Sequence, residues 1–275
     1  MASHYKTPLP EISRLTFGTG RVDDVNNPEH IKAVHAAMEA GLWFHSCEYY
    51  GDGRVFDVLN KAFKERLGSK PQLILKVDGQ SPQKLDATIR RVRDKLDLDC
   101  IPIAQVCGNP AIESIRPGGG LSEMMAKLLS EGLVGHYTLE IFKDFSDNLI
   151  HAVDEELFGS VIFYFNISEC QVSEEIYDLI QTKNIPVLAL RTLGGSTLDA
   201  IEDSEQRSKL QMLYEASGFE NAMAFQVGYP LSYPFVKTTI AGTSQVKHLH
   251  SLIDHAALAQ PLPPDVLTAI RAIQR

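Results

Sequence analysis

The chain has 275 residues, 44% of them hydrophobic and 22% charged, with a formal net charge of -9. Such a composition supports a sizeable buried core and excludes a disordered chain, and its acidic balance speaks against a nucleic-acid partner, because phosphate backbones are held by basic faces. No run reaches the roughly 20 apolar residues that cross a bilayer, so no membrane partner is expected. Cysteines 47, 100, 107 and 170 have neither CxxC nor other metal-type spacing, and MASHYKTPLPE lacks the apolar stretch of a signal peptide. A cytoplasmic, reducing location with free thiols is the expectation. Oligomeric state is not legible.

In chain order, Leu15–Gly18 reads as a short strand running into the Gly-rich turn Gly18-Thr19-Gly20. Asn26-Asn27-Pro28 signals a helix start, with Ile31, Val34, Ala37 and Met38 on its apolar face. Leu42–His45 reads as the second strand, breaking into the polar stretch HSCEYYG. Val55, Leu59 and Phe63 mark a helix, Leu73–Val77 a strand interrupted by Lys76, Ala87–Leu96 a helix, and Ile101–Cys107 a strand. Helix Glu123–Ser130, strand Val134–Leu139, helix Phe145–Val153 and strand Val161–Asn166 follow. Then come helix Ile176–Gln181, strand Pro186–Leu190, a polar helix-rich segment Asp199–Gly228 and strand Thr238–Gly242. The helix His248–Leu258 and a terminal helix from Asp265 end the chain.

Eight strands, each followed by a helix, with near-continuous apolar runs expected of strands buried on both faces, predict a single (β/α)8 TIM barrel over residues 1–275. In that fold chemistry sits at the C-terminal ends of the strands. Position then selects His45 and Tyr50 after strand two, Lys76 near the end of strand three, and Cys107 ending strand four. Glu140 follows strand five, Tyr164 and Asn166 end strand six, Arg191 follows strand seven, and Thr243-Ser244 follow strand eight. A His and a Tyr five residues apart suit proton transfer. Lys76 inside an apolar strand needs a partner. Desolvation would lower its pKa, and its charge would lower that of a nearby Tyr. The plainer readings are a packed Tyr164 and a Cys107 that serves as a small buried hydrophobe.

These segments resemble the aldo-keto reductase superfamily over essentially the whole length. The resemblance is carried by ISRLTFGT (Ile12–Thr19), HSCEYYG (His45–Gly51), LILK (Leu73–Lys76) and LDCIPIAQVC (Leu98–Cys107), then by EGLVG (Glu131–Gly135), VLALRTLGGSTL (Val187–Leu198) and IAGTSQVKHL (Ile240–Leu249). It implies an Asp, Tyr, Lys, His tetrad working with NADP(H). The Tyr and Lys fall on Tyr50 and Lys76; the Asp and His positions hold His45 and Cys107, an altered tetrad. On this resemblance the cofactor set comprises Gly18, Thr19, Glu140, Leu190, Arg191, Gly242, Thr243, Ser244, Gln245 and His248. Within it the nicotinamide carboxamide position falls on Glu140-Ile141 and Ile162, and the ring-stacking position on Leu190. The phosphate loop falls on Gly242–Gln245, and the adenine pair on Ser251-Leu252. Tyr49, Tyr164 and Asn166 are the substrate candidates, and no metal site is read.

Three functions fit the residues. In the first, NADPH reduces a carbonyl of a small polar substrate, carbohydrates among them, with Tyr50 as proton donor assisted by Lys76. In the second, a lyase, isomerase or hydrolase uses His45, Tyr50, Lys76 and Glu140 as acid-base groups without redox turnover. In the third, the barrel is a catalytically inactive scaffold.

Overall fold

A computed structural model describes residues 4–66, 70–142, 146–194 and 198–274. Its strands are β1 (Leu15–Gly18), β2 (Trp43–Cys47), β3 (Leu73–Asp78), β4 (Ile101–Cys107), β5 (Val134–Glu140), β6 (Ser160–Tyr164), β7 (Val187–Leu190) and β8 (Val236–Ala241). They pair in parallel and in chain order, and β1 closes on β8 to complete the barrel. The helices are α1 (Pro28–Glu39), α2 (Val55–Glu65), α3 (Pro82–Leu96), α4 (Ile112–Ile115), α5 (Gly120–Ser130) and α6 (Ser146–Asp154), then α7 (Glu174–Lys183), α8 (Ser204–Ser217), α9 (Ala222–Leu231), α10 (Val246–Leu258) and α11 (Pro264–Gln274). The fold is the (β/α)8 barrel that the strand pattern predicts.

The strands are apolar on both faces because each face is covered. Trp43, Ile74, Ile103, Ile162, Leu188 and Ile240 fill the lumen, while Phe17, Phe44, Leu75, Val106, Leu139 and Phe163 belong to the larger core shared with the helices. Short polar side chains set the helix starts: Asn27 Oδ1 accepts from the Glu29 amide at 3.0 Å, and Ser81 Oγ accepts from the Lys84 amide at 3.3 Å.

The structure moves several expected boundaries. Ser81-Pro82 starts α3 well before Ala87. The stretch 199–228 divides into α8 and α9, because Gly218 takes a left-handed φ of 72° and Asn221 caps the next helix. Helix α4 was not anticipated, and Phe145 lies outside the described residues. Strand β2 continues to Cys47, which stands opposite Lys76 of β3, so His45 lies inside the strand. Asn166 lies beyond β6, its Oδ1 accepting from the amides of Ser168 and Glu169 at 2.9 and 3.2 Å; that side-chain turn ends the strand.

The N-terminal segment closes the floor of the barrel. Tyr5 is fully buried and donates its hydroxyl proton to the Ile115 carbonyl at 2.6 Å. His136, buried in β5, bonds Thr7 Oγ1 through Nδ1 at 3.0 Å and Ser160 Oγ through Nε2 at 2.8 Å. Among the described residues no helix is long and apolar enough to cross a membrane.

Candidate active site

A cavity of about 670 Å³ opens at the C-terminal ends of the strands. Gly18, His45, Tyr50, Lys76, Glu140, Tyr164, Leu190, Arg191, Gly242, Thr243, Ser244, Gln245 and His248 all line it, so residues from β1 to the start of α10 converge on one space. A second cavity, of about 650 Å³, lies at the opposite face against the segment from Lys6 to Ile12. Its two lysines are already engaged, Lys6 by Glu156 and Lys237 by the Pro234 carbonyl, and it holds none of the candidate acid-base groups.

The centre of the upper cavity is an ion pair across the strands. Lys76 Nζ donates to Glu140 Oε1 at 2.7 Å, with side-chain exposures of 26% and 2%. Burial alone would lower the Lys76 pKa, but the Glu140 charge and hydrogen bond outweigh it and the net shift is upward. The expected lowering is thereby reversed, and Lys76 is a cation at neutral pH. Glu140 Oε2 is buried without a hydrogen-bond partner among the described residues.

His45 is buried and its Nε2 lies 2.7 Å from Gln105 Oε1. With the amide oxygen toward the ring, Nε2 carries the proton and donates it. Burial lowers the pKa of His45 to about 4, against the raising effect of Gln105 and with the Lys76 charge adding to the lowering. At neutral pH His45 is therefore an uncharged donor to Gln105, and it supplies neither a proton nor a negative charge.

Tyr50 sits in the turn after β2, its ring centroid 6.3 Å from that of His45. Burial raises its pKa, reinforced by Cys47, Tyr164 and Glu140. The expected lowering by Lys76 is not found, and the phenol stays protonated. Its hydroxyl has no hydrogen-bond partner among the described residues, which leaves it available to a ligand.

One wall is aromatic and cationic. Phe142 meets the Tyr164 ring edge-on at 5.7 Å, and the Arg191 guanidinium lies 5.0 Å above that ring. Arg191 holds a left-handed φ of 54°, uncommon for a long side chain, and donates to the Gly194 carbonyl at 3.0 Å.

At the other end, the β1–β8 seam carries the Gly242–Gln245 loop into the N-terminus of α10. The strands approach so closely that a Cβ at Gly242 would stand 2.6 Å from the Gly18 carbonyl oxygen. Gly242→Ala is expected to destabilise the protein by about 1–3 kcal/mol, read as a lower urea midpoint; an unchanged midpoint would contradict this close approach. Gln245 makes no side-chain cap to α10, so the amides of the first turn keep their capacity to donate to an anion beside Gln245 and His248, which line the cavity.

Ile141, Ile162 and Ser251, marked through the cofactor positions, do not line the cavity, and four further candidates lie elsewhere. Thr19 is buried and ties the first turn to β2, its Oγ1 3.0 Å from the His45 carbonyl and 2.9 Å from Ser46 Oγ. Cys107 does not line the cavity; its Sγ donates to the Val77 carbonyl at 2.9 Å, and burial and Glu140 push its pKa up to about 12, so it is a thiol and not a nucleophile. Tyr49 is 76% exposed on the surface. Asn166 is fully buried in its turn. Gly20, Arg21, Gln105, Thr192, Leu193, Met223, Ile240, Ala241 and Leu252 also line the cavity; of these only Leu252 was marked, through the adenine position. Gln105 was legible in principle: it shares the inward face of β4 with Ile103, two residues on. Among the described residues no group of three His, Cys, Asp or Glu could hold a metal ion.

The fold is a (β/α)8 barrel with its acid-base groups gathered at the C-terminal ends of the strands. The model of the aldo/keto reductase family matches residues 14–275, and the chain belongs to that family, one of oxidoreductases. Among solved structures it is similar to the holo form of aldo-keto reductase AKR11C1 from Bacillus halodurans, with a TM-score of 0.77, 18% identity and coverage of 98% of this chain and 94% of that one. It is also similar to an aldo-keto reductase from Klebsiella pneumoniae in complex with NADPH, with a TM-score of 0.75, 16% identity and coverage of 98% and 95%. The glycerol dehydrogenase AKR11B4 from Gluconobacter oxydans gives a TM-score of 0.72 at 16% identity, again with coverage of 98% and 95%. No curated protein matches the chain.

Proposed function

We propose that this chain reduces the carbonyl group of a small polar substrate with NADPH. The observation that carries the reading is the convergence of Tyr50, Lys76 and the Gly242–Gln245 loop on one cavity. The donors suit the cofactor. The first turn of α10, with Ser244 and His248, suits a phosphate, and the buried, unpartnered Glu140 Oε2 is an acceptor of the kind an amide group needs. Thr243, Ser244, Gln245 and His248 would hold the phosphate end, while Glu140, Leu190 and Tyr164 would enclose the nicotinamide.

When bound, NADPH supplies the hydride. The chain supplies the proton. As negative charge develops on the substrate oxygen, Tyr50 gives up its phenolic proton, and the Lys76 cation favours the phenolate left behind. The phenol is fully protonated before the step, and the Lys76 cation has to offset the burial that raises the Tyr50 pKa. His45 and Gln105 hold one another and shape the floor. Arg191 and Tyr164 form the substrate-facing wall.

A titration with NADPH, followed by fluorescence and calorimetry with NADH as control, tests this. Binding at micromolar concentrations is expected, and Ser244→Asp should weaken NADPH about tenfold or more by placing a carboxylate against the phosphate. No binding at millimolar NADPH would sink the reductase reading. The second reading, acid-base chemistry without redox change, has one observation in its favour: the buried carboxylate of Glu140 still has an oxygen to offer. Substrate turnover without NADPH oxidation would select it.

A further inference from the structure

In the family that this chain resembles, the carboxylate beside the active-site lysine comes from the second strand, at the position of His45. Here that position holds a buried imidazole bonded to Gln105. The lysine nevertheless has a carboxylate, reaching it from β5 at 2.7 Å. We propose that Glu140 is the positioning residue that keeps Lys76 charged and fixed in the cavity wall, so that the counter-ion of the proton-donating pair stands on the fifth strand instead of the second.

The physical case rests on what each partner would do alone. A lysine desolvated in a barrel wall holds its proton less tightly unless an anion stands beside it, and a carboxylate 2% exposed is costly without a cation. Around Lys76 stand His45 and Cys47 from β2, Tyr50 from the turn after it, Cys107 from β4 and Glu140 from β5, with Tyr164 and Arg191 in the facing wall. His45, Tyr50, Cys47 and Cys107 are neutral there, so Glu140 is the one anion in this set. The effect on rate rests on the reductase reading; the charge on Lys76 does not.

The experiment compares the wild type with E140Q, E140D and the double variant H45D/E140Q. Its first readout is the 13Cε lysine NMR signal of Lys76, assigned with K76R and titrated to high pH; its second is the pH profile of kcat/KM for carbonyl reduction. In E140Q the Lys76 titration should fall by about two pH units or more, kcat/KM should drop about tenfold or more, and a new decline should open on the alkaline side. E140D should restore both, and H45D/E140Q should restore the lysine charge from the opposite strand. An unchanged Lys76 titration in E140Q, an equal loss in E140Q and E140D with no change in pH profile, or a faster E140Q would overturn the proposal. If E140Q does not fold, H45D/E140Q must fold with a charged Lys76, or the proposal fails. Should the wild type reduce no carbonyl, the reductase reading falls, while the NMR titration still decides the role of Glu140.

Discussion

Tyr50→Phe is expected to lower kcat/KM for carbonyl reduction by a factor of about 10²–10⁴, the usual contribution of a positioned general acid, while leaving NADPH affinity and the melting temperature unchanged. The variant is clean because the hydroxyl has no hydrogen-bond partner among the described residues, while the ring packs against the core and lies within 4 Å of a Cβ built at Gly20. Phe keeps that packing and removes only the hydroxyl. Lys76 offers no such clean deletion: Lys76→Met would strand the Glu140 carboxylate in a buried site, at a cost of about 3–5 kcal/mol, so lost activity there would be confounded with lost fold. Stopped-flow measurement of NADPH oxidation, with cofactor binding measured alongside, checks the prediction. A Tyr50→Phe enzyme with wild-type kcat would remove the phenol from the mechanism.

Acid is expected to unfold the protein well before ordinary carboxylate protonation does. Burial holds the pKa values of both His45 and His136 at about 4, against 6.5 in the unfolded chain. A group whose folded pKa is depressed contributes its stability above the unfolded pKa and loses it as the pH falls towards the folded one. The window is therefore pH 6.5 down to 4. Each histidine removes about 3 kcal/mol by pH 4, and the pair together removes about 6 kcal/mol from a total that is typically 5–15 kcal/mol. Urea unfolding between pH 7.5 and 4.5 should show a slope approaching two protons, and His136→Asn should remove about half of it. A midpoint that does not change over this window would show that neither imidazole is held neutral by the fold.

The barrel was legible because strands buried on both faces leave a near-continuous apolar signature. LILKV and VIFYF need no alignment to be recognised. Their periodicity with the intervening helices left little else for the chain to be. Tyr50 and Lys76 were legible for a different reason: a polar group at a strand end has few structural uses. The roles of their neighbours were not. Sequence alone suggests that Lys76 lowers the Tyr50 pKa, yet Lys76 turns to Glu140, 64 residues away in the chain, and this pairing depends on strand register. His45 looked like a neutral-range acid because its environment was unknown; burial keeps it uncharged, and Gln105 accepts its hydrogen bond. Cys107 and Thr19 occupy positions adjoining the cavity, but the directions of their hydrogen bonds, to Val77 and to the β2 backbone, hold them outside it.

The Gly242–Gln245 loop stands at the seam where the first strand meets the last, and this would tie the binding of a ligand there to the order in which the protein is made. Gly18 leaves the ribosome more than two hundred residues before Gly242, so the loop's backing wall waits for nearly the whole chain. Until β8 docks on β1, the carbonyl of Gly18 has no neighbour at Gly242 and the amides of α10 have no rim to face. A nucleotide held there would bind only the closed ring and leave every partly assembled form alone. By mass action such a ligand would draw late intermediates towards closure, acting as a latch on the last step of folding as well as a reactant.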